Sequence, residues 1–247
     1  GGRLVDVNSD GLIDIVFARP NNVNTYINSG KGWDDISTNW NIPECEWPNL
    51  EGCIINRGDE GVRFGDINGD GLVDVVKAIT GNSTQGGSAK TWLNVGNRWE
   101  NFNNWKIPNC NTGSDENCFI DDTPLPQFHP NGVYFVDFTG DGIPDLIKAR
   151  DTGGGATGKA YVNLAERVGL LRNITTSFGA VITINYTTLA KYANKGEDDI
   201  PDIGIPSWVI TSLREDNGMG GSQNITVNTT YFYRGGYFHY NESDYRG

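Results

Sequence analysis

The residues best suited to chemistry lie in three acidic runs, DVNSDGLID at 6–14, DINGDGLVD at 66–74 and DFTGDGIPD at 137–145. Each has side-chain oxygens at positions one, three, five and nine, and position seven can offer its backbone carbonyl. Hard divalent cations prefer such oxygens, and the glycine at position six permits a sharp turn. The runs predict about three Ca²⁺ sites. The candidate ligands are Asp6, Asn8, Asp10, Leu12, Asp14, Asp66, Asn68, Asp70, Leu72, Asp74, Asp137, Thr139, Asp141, Ile143 and Asp145.

The spacing matches the first part of an EF-hand loop, but the surroundings do not. The glutamate expected at position twelve is replaced by Phe17, Lys77 and Lys148, and the flanking residues are β-branched rather than helix-forming. Water or backbone would have to complete the coordination. The alternative is an Asp/Asn/Gly turn that binds nothing, and recurrence at one place in a repeat favours the metal. The third copy departs most from the pattern, with Thr139 and Pro144.

The acidic runs belong to a longer repeat. An apolar stretch follows each run at 15–18, 75–78 and 146–149, and a second stretch follows at 25–28, 91–94 and 160–163. Each unit reads as strand, acidic loop, strand, turn, strand. Such a unit cannot bury its apolar face alone, so neighbouring units must stack. We expect an all-β fold with propeller blades over 1–165 and a structural role for the ion. Three blades cannot close a propeller, so the chain is a fragment or another segment completes the ring.

Four cysteines fall in two matched segments, NWNIPECEWPNLEGCII at 39–55 and NWKIPNCNTGSDENCFI at 104–120. Repeat symmetry favours disulfides within each segment, although four cysteines allow three connectivities. Zinc is the rival, and its usual ligand spacing of two to four residues fits poorly. Disulfides would indicate an oxidising compartment. Sequons, which require a secretory route when occupied, occur at Asn82, Asn173, Asn185, Asn224, Asn228 and Asn241.

The overall composition limits the classes of partner. A formal net charge of −12 disfavours nucleic acid and anionic membrane surfaces. The sequence contains no apolar run long enough to predict a membrane span. The two histidines, His129 and His239, lie in unrelated contexts, a loop and a predicted strand, without a nucleophile motif. The glycines at 153–155 lack the Lys-Ser/Thr of a phosphate loop. These features predict a protein that is not an enzyme.

The blade pattern stops near Glu166, and a second β-rich region is predicted over 166–247. Residues 170–186 alternate like a hairpin that turns near Phe178 and Gly179. A polar loop is predicted around 195–201. Further strands are predicted at 207–213 and 224–233, joined by the glycine-rich stretch 216–221.

The C-terminal stretch YFYRGGYFHYNESDYRG carries a resemblance to a known family. Gly236, Tyr237, Phe238, Glu242, Tyr245, Arg246 and Gly247 resemble the G-Y-F…E…[FY]-R-G signature that follows the propeller in the Tc-toxin B component and related Rhs (YD-repeat) proteins. The stretches 169–171 and 205–210 resemble other parts of that module. The acidic loops resemble FG-GAP/VCBS blades, which are shared by many secreted proteins.

The resemblance implies a scaffold, because in that family the propeller lies beside a β-sheet shell that encloses a toxic polypeptide. The sequence shows no YD repeats, self-cleaving aspartate site or effector domain, and the cysteine segments and sequons suggest a cell-surface relative. We therefore expect a non-catalytic, calcium-stabilised extracellular or cell-surface scaffold. Its expected partners are the remainder of a longer chain or identical subunits. The alternatives are an adhesin or lectin that binds glycan or a surface protein, and an accessory domain of a secreted hydrolase.

Overall fold

A computed structural model shows an all-β chain and describes residues 1–35, 40–45, 52–56, 58–80, 88–102, 104–110, 117–121, 129–151, 156–165, 168–192, 208–235, 237–239 and 244–246. The sequons at Asn82 and Asn241, the predicted loop at 195–201, the glycines at 153–155 and several signature positions (Gly236, Glu242 and Gly247) lie outside these residues. The chain folds into two compact units. The first contains 1–136 and 144–166, and the second contains 137–143 and 167–247.

Among the described residues, the first unit contains three sheets of mainly antiparallel strands, which we call blades 1, 2 and 3. Blade 1 has the order β1-β2-β3-β4, with β1 Gly2–Val5, β2 Asp14–Arg19, β3 Asn22–Asn28 and β4 Trp33–Asp35. In β2, the inner strand of this blade, buried side chains alternate with less buried ones, and the buried ones are Asp14, Val16 and Ala18. The inner strands of the other blades are those that also follow an acidic loop. An acidic loop joins the first two strands, so the predicted order of strand and loop is confirmed.

Blade 2 repeats this arrangement with β5 Val62–Gly65, β6 Asp74–Ile79, β7 Ser88–Asn94 and β8 Trp99–Asn101. Two short strands extend its sheet, β9 Ile120–Asp121 and β10 His129–Pro130. The strand β9 joins the sheet through one parallel pairing with Ile79. His129 was expected in a loop, and the structure instead places its backbone in this short strand. All six residues of β6 are buried, because this strand is central in the sheet.

Blade 3 has three described strands, β11 Val133–Val136, β12 Asp145–Asp151 and β13 Ala156–Tyr161. Its entry resembles that of blade 2. Gly61 and Gly132 precede β5 and β11 with positive φ, and a Cβ on either would lie 2.5 or 2.2 Å from a carbonyl oxygen of the neighbouring strand. Glycine is therefore required at both blade entries.

The cores of the first unit lie between neighbouring blades, and each contains the described apolar residues of one cysteine segment. The first core joins Val16 of blade 1 to Val75 and Trp92 of blade 2 through Trp40 and Ile42. The second joins Val76 of blade 2 to Leu146 of blade 3 through Ile107 and Phe119. The segments therefore pack apolar side chains between neighbouring sheets, and we call these side chains the apolar wedge. Such packing is expected because each repeat must stack on its neighbour to bury its apolar face.

Both disulfides form within their segments, as the repeat symmetry predicted. Cys45 bonds Cys53 and Cys110 bonds Cys118, with Cα–Cα distances of 4.7 and 4.9 Å. All four cysteines are buried. The zinc alternative is therefore excluded in this structure, and each disulfide closes a short loop at an inter-blade core.

The second unit is built on a four-stranded antiparallel sheet of order β14-β15-β16-β17. Its strands are β14 Asn173–Thr175, β15 Val181–Thr188, β16 Trp208–Asp216 and β17 Thr226–Thr230. A two-stranded sheet follows, with β18 Tyr237–His239 and β19 Asp244–Arg246. Single 3₁₀ turns occupy Leu189–Lys191 and Gly221–Gln223. The predicted hairpin at 170–186 is confirmed, and its turn is closed by the Gly179 N–H, which donates to the Thr176 carbonyl.

We predict that replacing Cys45 and Cys53 together with serine lowers the free energy of unfolding by about 2.5 kcal/mol, because the closed loop restricts the unfolded chain. Urea unfolding followed by tryptophan fluorescence measures the change. The paired replacement of Cys110 and Cys118 is the matched control and should give a similar loss, since its loop has the same length. Unchanged stability in both variants would contradict a structural role for the disulfides.

Candidate functional site

The three acidic loops connect the first two strands of each blade, and the hairpin register fixes where each one ends. The ninth position is the first residue of the inner strand, and it pairs with the last residue of the preceding strand. These pairs are Val5 with Asp14, Gly65 with Asp74 and Val136 with Asp145. The ninth-position aspartates, Asp14, Asp74 and Asp145, are at most 1% exposed.

The first aspartate of each loop organises the turn by accepting backbone N–H groups. Asp66 Oδ1 accepts from Gly69 and Asp70 at 2.7 and 3.1 Å, and Oδ2 accepts from Gly71 at 2.8 Å. Asp137 makes the same three bonds in the third loop. Gly71 has φ of +86°, a conformation that glycine adopts without strain. The position-six glycine is thus required by the turn whether or not a cation is bound.

In the first two loops, the side chains at the third and fifth positions form a hydrogen bond with each other. The fifth-position carboxylate also accepts a backbone N–H. The Asn68 Nδ2 donates to Asp70 Oδ2 at 2.9 Å, and the Leu72 N–H donates to Asp70 Oδ1 at 2.8 Å. Asn8 and Asp10 repeat the side-chain bond in the first loop. Backbone and amide N–H groups therefore compensate part of the crowded negative charge in these loops.

The ninth-position aspartates have a different role from the rest of the loop. The Val7 N–H donates to Asp14 Oδ2 at 2.9 Å, and the Asn28 N–H donates to Asp14 Oδ1 at 2.8 Å. In blade 2, Ile67 and Asn94 make the equivalent bonds to Asp74 at 3.0 and 2.8 Å. Each carboxylate thus ties its own loop to the third strand of its blade. The sequence predicted these side chains as metal ligands and did not predict their hydrogen bonds to the loop and the third strand. We call this pair of hydrogen bonds the brace of a blade.

Asn94 and Asn163 then connect neighbouring blades. The Asn94 Nδ2 donates to the Val7 carbonyl at 2.8 Å, and the Asn163 Nδ2 donates to the Ile67 carbonyl at 2.9 Å. Asn28 occupies the same place in blade 1, where its Nδ2 donates to the Ile13 carbonyl of its own loop. We missed this role in the sequence, although the asparagine that ends the second apolar stretch of every repeat was the available signal.

Burial and like charge act together on the acids of the second loop. Desolvation raises the pKa of Asp74 to about 7. The charges of Asp70 and Asp66 also raise it, while the hydrogen bonds from the Asn94 and Ile67 N–H groups lower it in part. Desolvation also raises the pKa of Asp66 and, in the first loop, of Asp14. A nearby cation would favour the charged form of each group. In the first two loops, burial and like charge thus disfavour the ionised form of these acids.

The donor chemistry of the loops fits a hard cation, but acids alone do not form a complete site. An ionised carboxylate has about four lone-pair positions, and the described bonds of Asp10 use two of them. Within the part of the chain that the structure describes, no three or more His, Cys, Asp or Glu side chains form a group that could hold a metal ion. Asn8, Asn68, Thr139 or backbone oxygens would have to contribute. The predicted Ca²⁺ ligands stay predictions.

In the third loop, Asp137, Thr139, Asp141 and Ile143 group with the second unit, and Asp145 lies in the first. Within the second unit, the Trp208 indole donates to the Asp141 carbonyl at 2.6 Å. A Cβ on Gly140 would lie 2.6 Å from the Ala190 side chain. Ile143 is fully buried. These contacts pack the third loop within the second unit.

Comparison with known families supports both halves of this description. Residues 6–77 match the family model of the FG-GAP-like repeat. Residues 125–247 match the model described as the insecticide toxin TcdB middle/N-terminal region. The chain is thus similar to an FG-GAP-like repeat over its first part and to a TcdB-type toxin region over its last part. The FG-GAP match spans the first two acidic loops, and the TcdB match includes blade 3 and the second unit. No curated protein matches the chain.

We predict that Asn94→Ala lowers the free energy of unfolding by about 1–3 kcal/mol, because it leaves the buried Val7 carbonyl without its partner. Thermal and urea unfolding measure the loss. Asn28→Ala is the matched control, since the same amide donates to Ile13 in an exposed setting, and its loss should be smaller. Equal losses in the two variants would contradict the role of Asn94 between blades.

Proposed function

We propose that this chain is a non-catalytic, calcium-stabilised extracellular scaffold within a longer Tc-toxin B-like protein. The observation that supports it best is the repeated brace. In blades 1 and 2 a buried aspartate ties the acidic loop to the third strand, and Asn94 and Asn163 tie each following blade to the loop before it. The acidic loops thus lie at the points where blades are held together, and this position suits a structural ion better than a reactive one.

Calcium is proposed at the loops through side-chain oxygens at positions one, three and five and the carbonyl at position seven. In the first two loops these are Asp6, Asn8, Asp10 and Leu12, and Asp66, Asn68, Asp70 and Leu72. A bound ion would compensate negative charge next to the buried Asp74, whose ionised form is disfavoured. The ninth-position acids would then act mainly as braces, since both oxygens of Asp14 and Asp74 already accept backbone N–H groups.

A non-catalytic role is supported by where the polar chemistry lies. Among the residues that the structure describes, the groups with raised pKa are Asp14, Asp66 and Asp74, and their hydrogen bonds join turns and strands. A cavity described in the first unit is lined mainly by aromatic and aliphatic side chains. Both features fit a structural module better than a reaction centre.

An extracellular location is supported by the two disulfides, which persist in oxidising compartments. The sequon residues Asn173, Asn185, Asn224 and Asn228 are exposed, as carrying a glycan requires. None of the described helices has the length and apolar character needed to cross a membrane.

We predict that Ca²⁺ raises the melting temperature and that chelation lowers it. Extracellular calcium modules bind with dissociation constants of about 10⁻⁴–10⁻³ M, and tenfold excess over the dissociation constant stabilises by about 1.4 kcal/mol per site. Differential scanning fluorimetry with EDTA and with excess Ca²⁺ measures the shift, and calorimetric titration measures the stoichiometry. Identical melting in both buffers with no heat of binding would reject the calcium assignment.

We predict that Asp70→Asn removes one ion from the binding stoichiometry while the first loop keeps its own. The substitution removes a charge at similar size. Asp34→Asn is the control, because Asp34 is exposed on β4 outside the acidic loops and should leave the stoichiometry unchanged. Equal stoichiometry in the two variants would show that the second loop is not a binding site.

A further inference from the structure

The third blade has an apolar cavity at the place where the second blade has a buried tryptophan. In blade 2, Trp99 is 4% exposed and its indole donates to the Val73 carbonyl at 3.1 Å. Its ring lies 5.6 Å from Trp40 and 6.2 Å from Phe64. Trp99 stands on the fourth strand, where it pairs with Asn94. The fourth strand thus closes blade 2 with one large aromatic side chain.

The equivalent positions of blade 3 are fixed by strand register. Phe64 pairs with Val75 and Phe135 pairs with Leu146. Val75 pairs with Trp92 and Leu146 pairs with Tyr161. Asn94 and Asn163 donate their backbone N–H groups to Asp74 and Asp145 in the same way. The two NW-x-IP-x-C segments make Trp105 and Ile107 the counterparts of Trp40 and Ile42.

These counterparts line the cavity. Its volume is about 380 Å³, and its walls include Trp105, Ile107, Phe135, Leu146, Tyr161 and Leu164. The Trp105 and Phe135 rings lie 6.5 Å apart. The side chains that surround Trp99 in blade 2 therefore have equivalents here, and the cavity occupies the place of the indole.

The strand next to the cavity also offers an edge for pairing. Among the strands that the structure describes, β13 pairs with β12 alone. The Asn163 N–H points to the β12 side, where Asp145 accepts it. Successive backbone N–H groups of an extended chain alternate in direction, so the Val162 N–H points to the outer edge. Val162 is 48% exposed and Leu164 is 86% exposed.

We propose that this cavity and edge form a docking site for an extended, tryptophan-bearing segment of a partner polypeptide, which adds to blade 3 as a fourth strand. The segment runs antiparallel to β13 and places its indole opposite Asn163, as Trp99 lies opposite Asn94. Strand addition gives affinity through main-chain hydrogen bonds, and the pocket for the side chain gives specificity. The exposed Lys106 at the rim favours an acidic residue beside the tryptophan, as in the Trp99-Glu100 pair. This site does not depend on calcium.

The probe is a peptide with the sequence GNRWENFN, which is residues 96–103 of this chain and contains its own fourth strand. We expect saturable binding to the purified chain by calorimetric titration, equal in Ca²⁺ and in EDTA. The same peptide with alanine in place of tryptophan should bind at least about tenfold more weakly, because the indole contributes most of the binding free energy. Absence of binding to the folded chain, or equal binding of the two peptides, would overturn the proposal.

Variants of the chain locate the site. Val162→Pro removes an outward N–H at an edge where proline is tolerated, and it should abolish peptide binding. Val168→Pro, an exposed position in a turn followed by Gly169, is the matched control and should bind normally. Leu164→Glu changes an exposed side chain at the cavity wall and provides a second blocking variant if Val162→Pro does not fold. Normal binding by a folded blocking variant would overturn the proposal.

The identity of the occupant is tested by light scattering on the same samples. A chain that binds the peptide and remains monomeric supports a partner polypeptide. A doubling of mass that Val162→Pro reverses would instead assign the edge to a second copy and overturn the partner assignment.

Discussion

The buried aspartate at the end of the acidic loops is the interaction on which blades 1 and 2 depend. Asp14 and Asp74 each accept one N–H from their own loop and one from the third strand of their blade. A buried carboxylate is costly unless it is hydrogen-bonded, so the loop and the third strand must keep these positions together. In blade 2, Asn94 donates its backbone N–H to Asp74 and its side-chain amide to the Val7 carbonyl in the loop of blade 1. The buried carboxyl group of Asp74 and its asparagine partner thus link the turn, the sheet and the contact between blades.

The cysteine segments complete this arrangement from the apolar side. Each one inserts a tryptophan, an isoleucine and a disulfide next to the interface of two blades. The contacts between blades therefore combine a hydrogen bond at the loop end with an apolar wedge in the core. Blade 3 shows what this design requires, because its wedge residues are present and its cavity lies where blade 2 has Trp99. The side chains that pack around Trp99 in blade 2 have counterparts in blade 3, where they line a cavity instead.

Much of the architecture was predictable because it rests on repetition. The blade order, the acidic loops between strands, the disulfide pairing and the hairpin at 170–186 all follow from residue types at fixed spacing. The fourth strands were not predicted, since Trp33 and Trp99 head runs of only three residues, too short to show a period. The dual role of Asn94 was also missed, because its two partners lie 20 and 87 residues away. Nothing local in the sequence marks such a pair.

The sequence by itself determined which elements form and which residues recur, because alternation, glycine placement and cysteine spacing act over a few residues. It also determined that oxygen-rich turns would stand at the start of each inner strand. Only the tertiary structure decided that the last acid of the first two turns points inward to backbone N–H groups, and that Asn94 and Asn163 reach the preceding loops. These outcomes depend on how sheets stack, and burial and hydrogen-bond direction are set by residues distant in the chain.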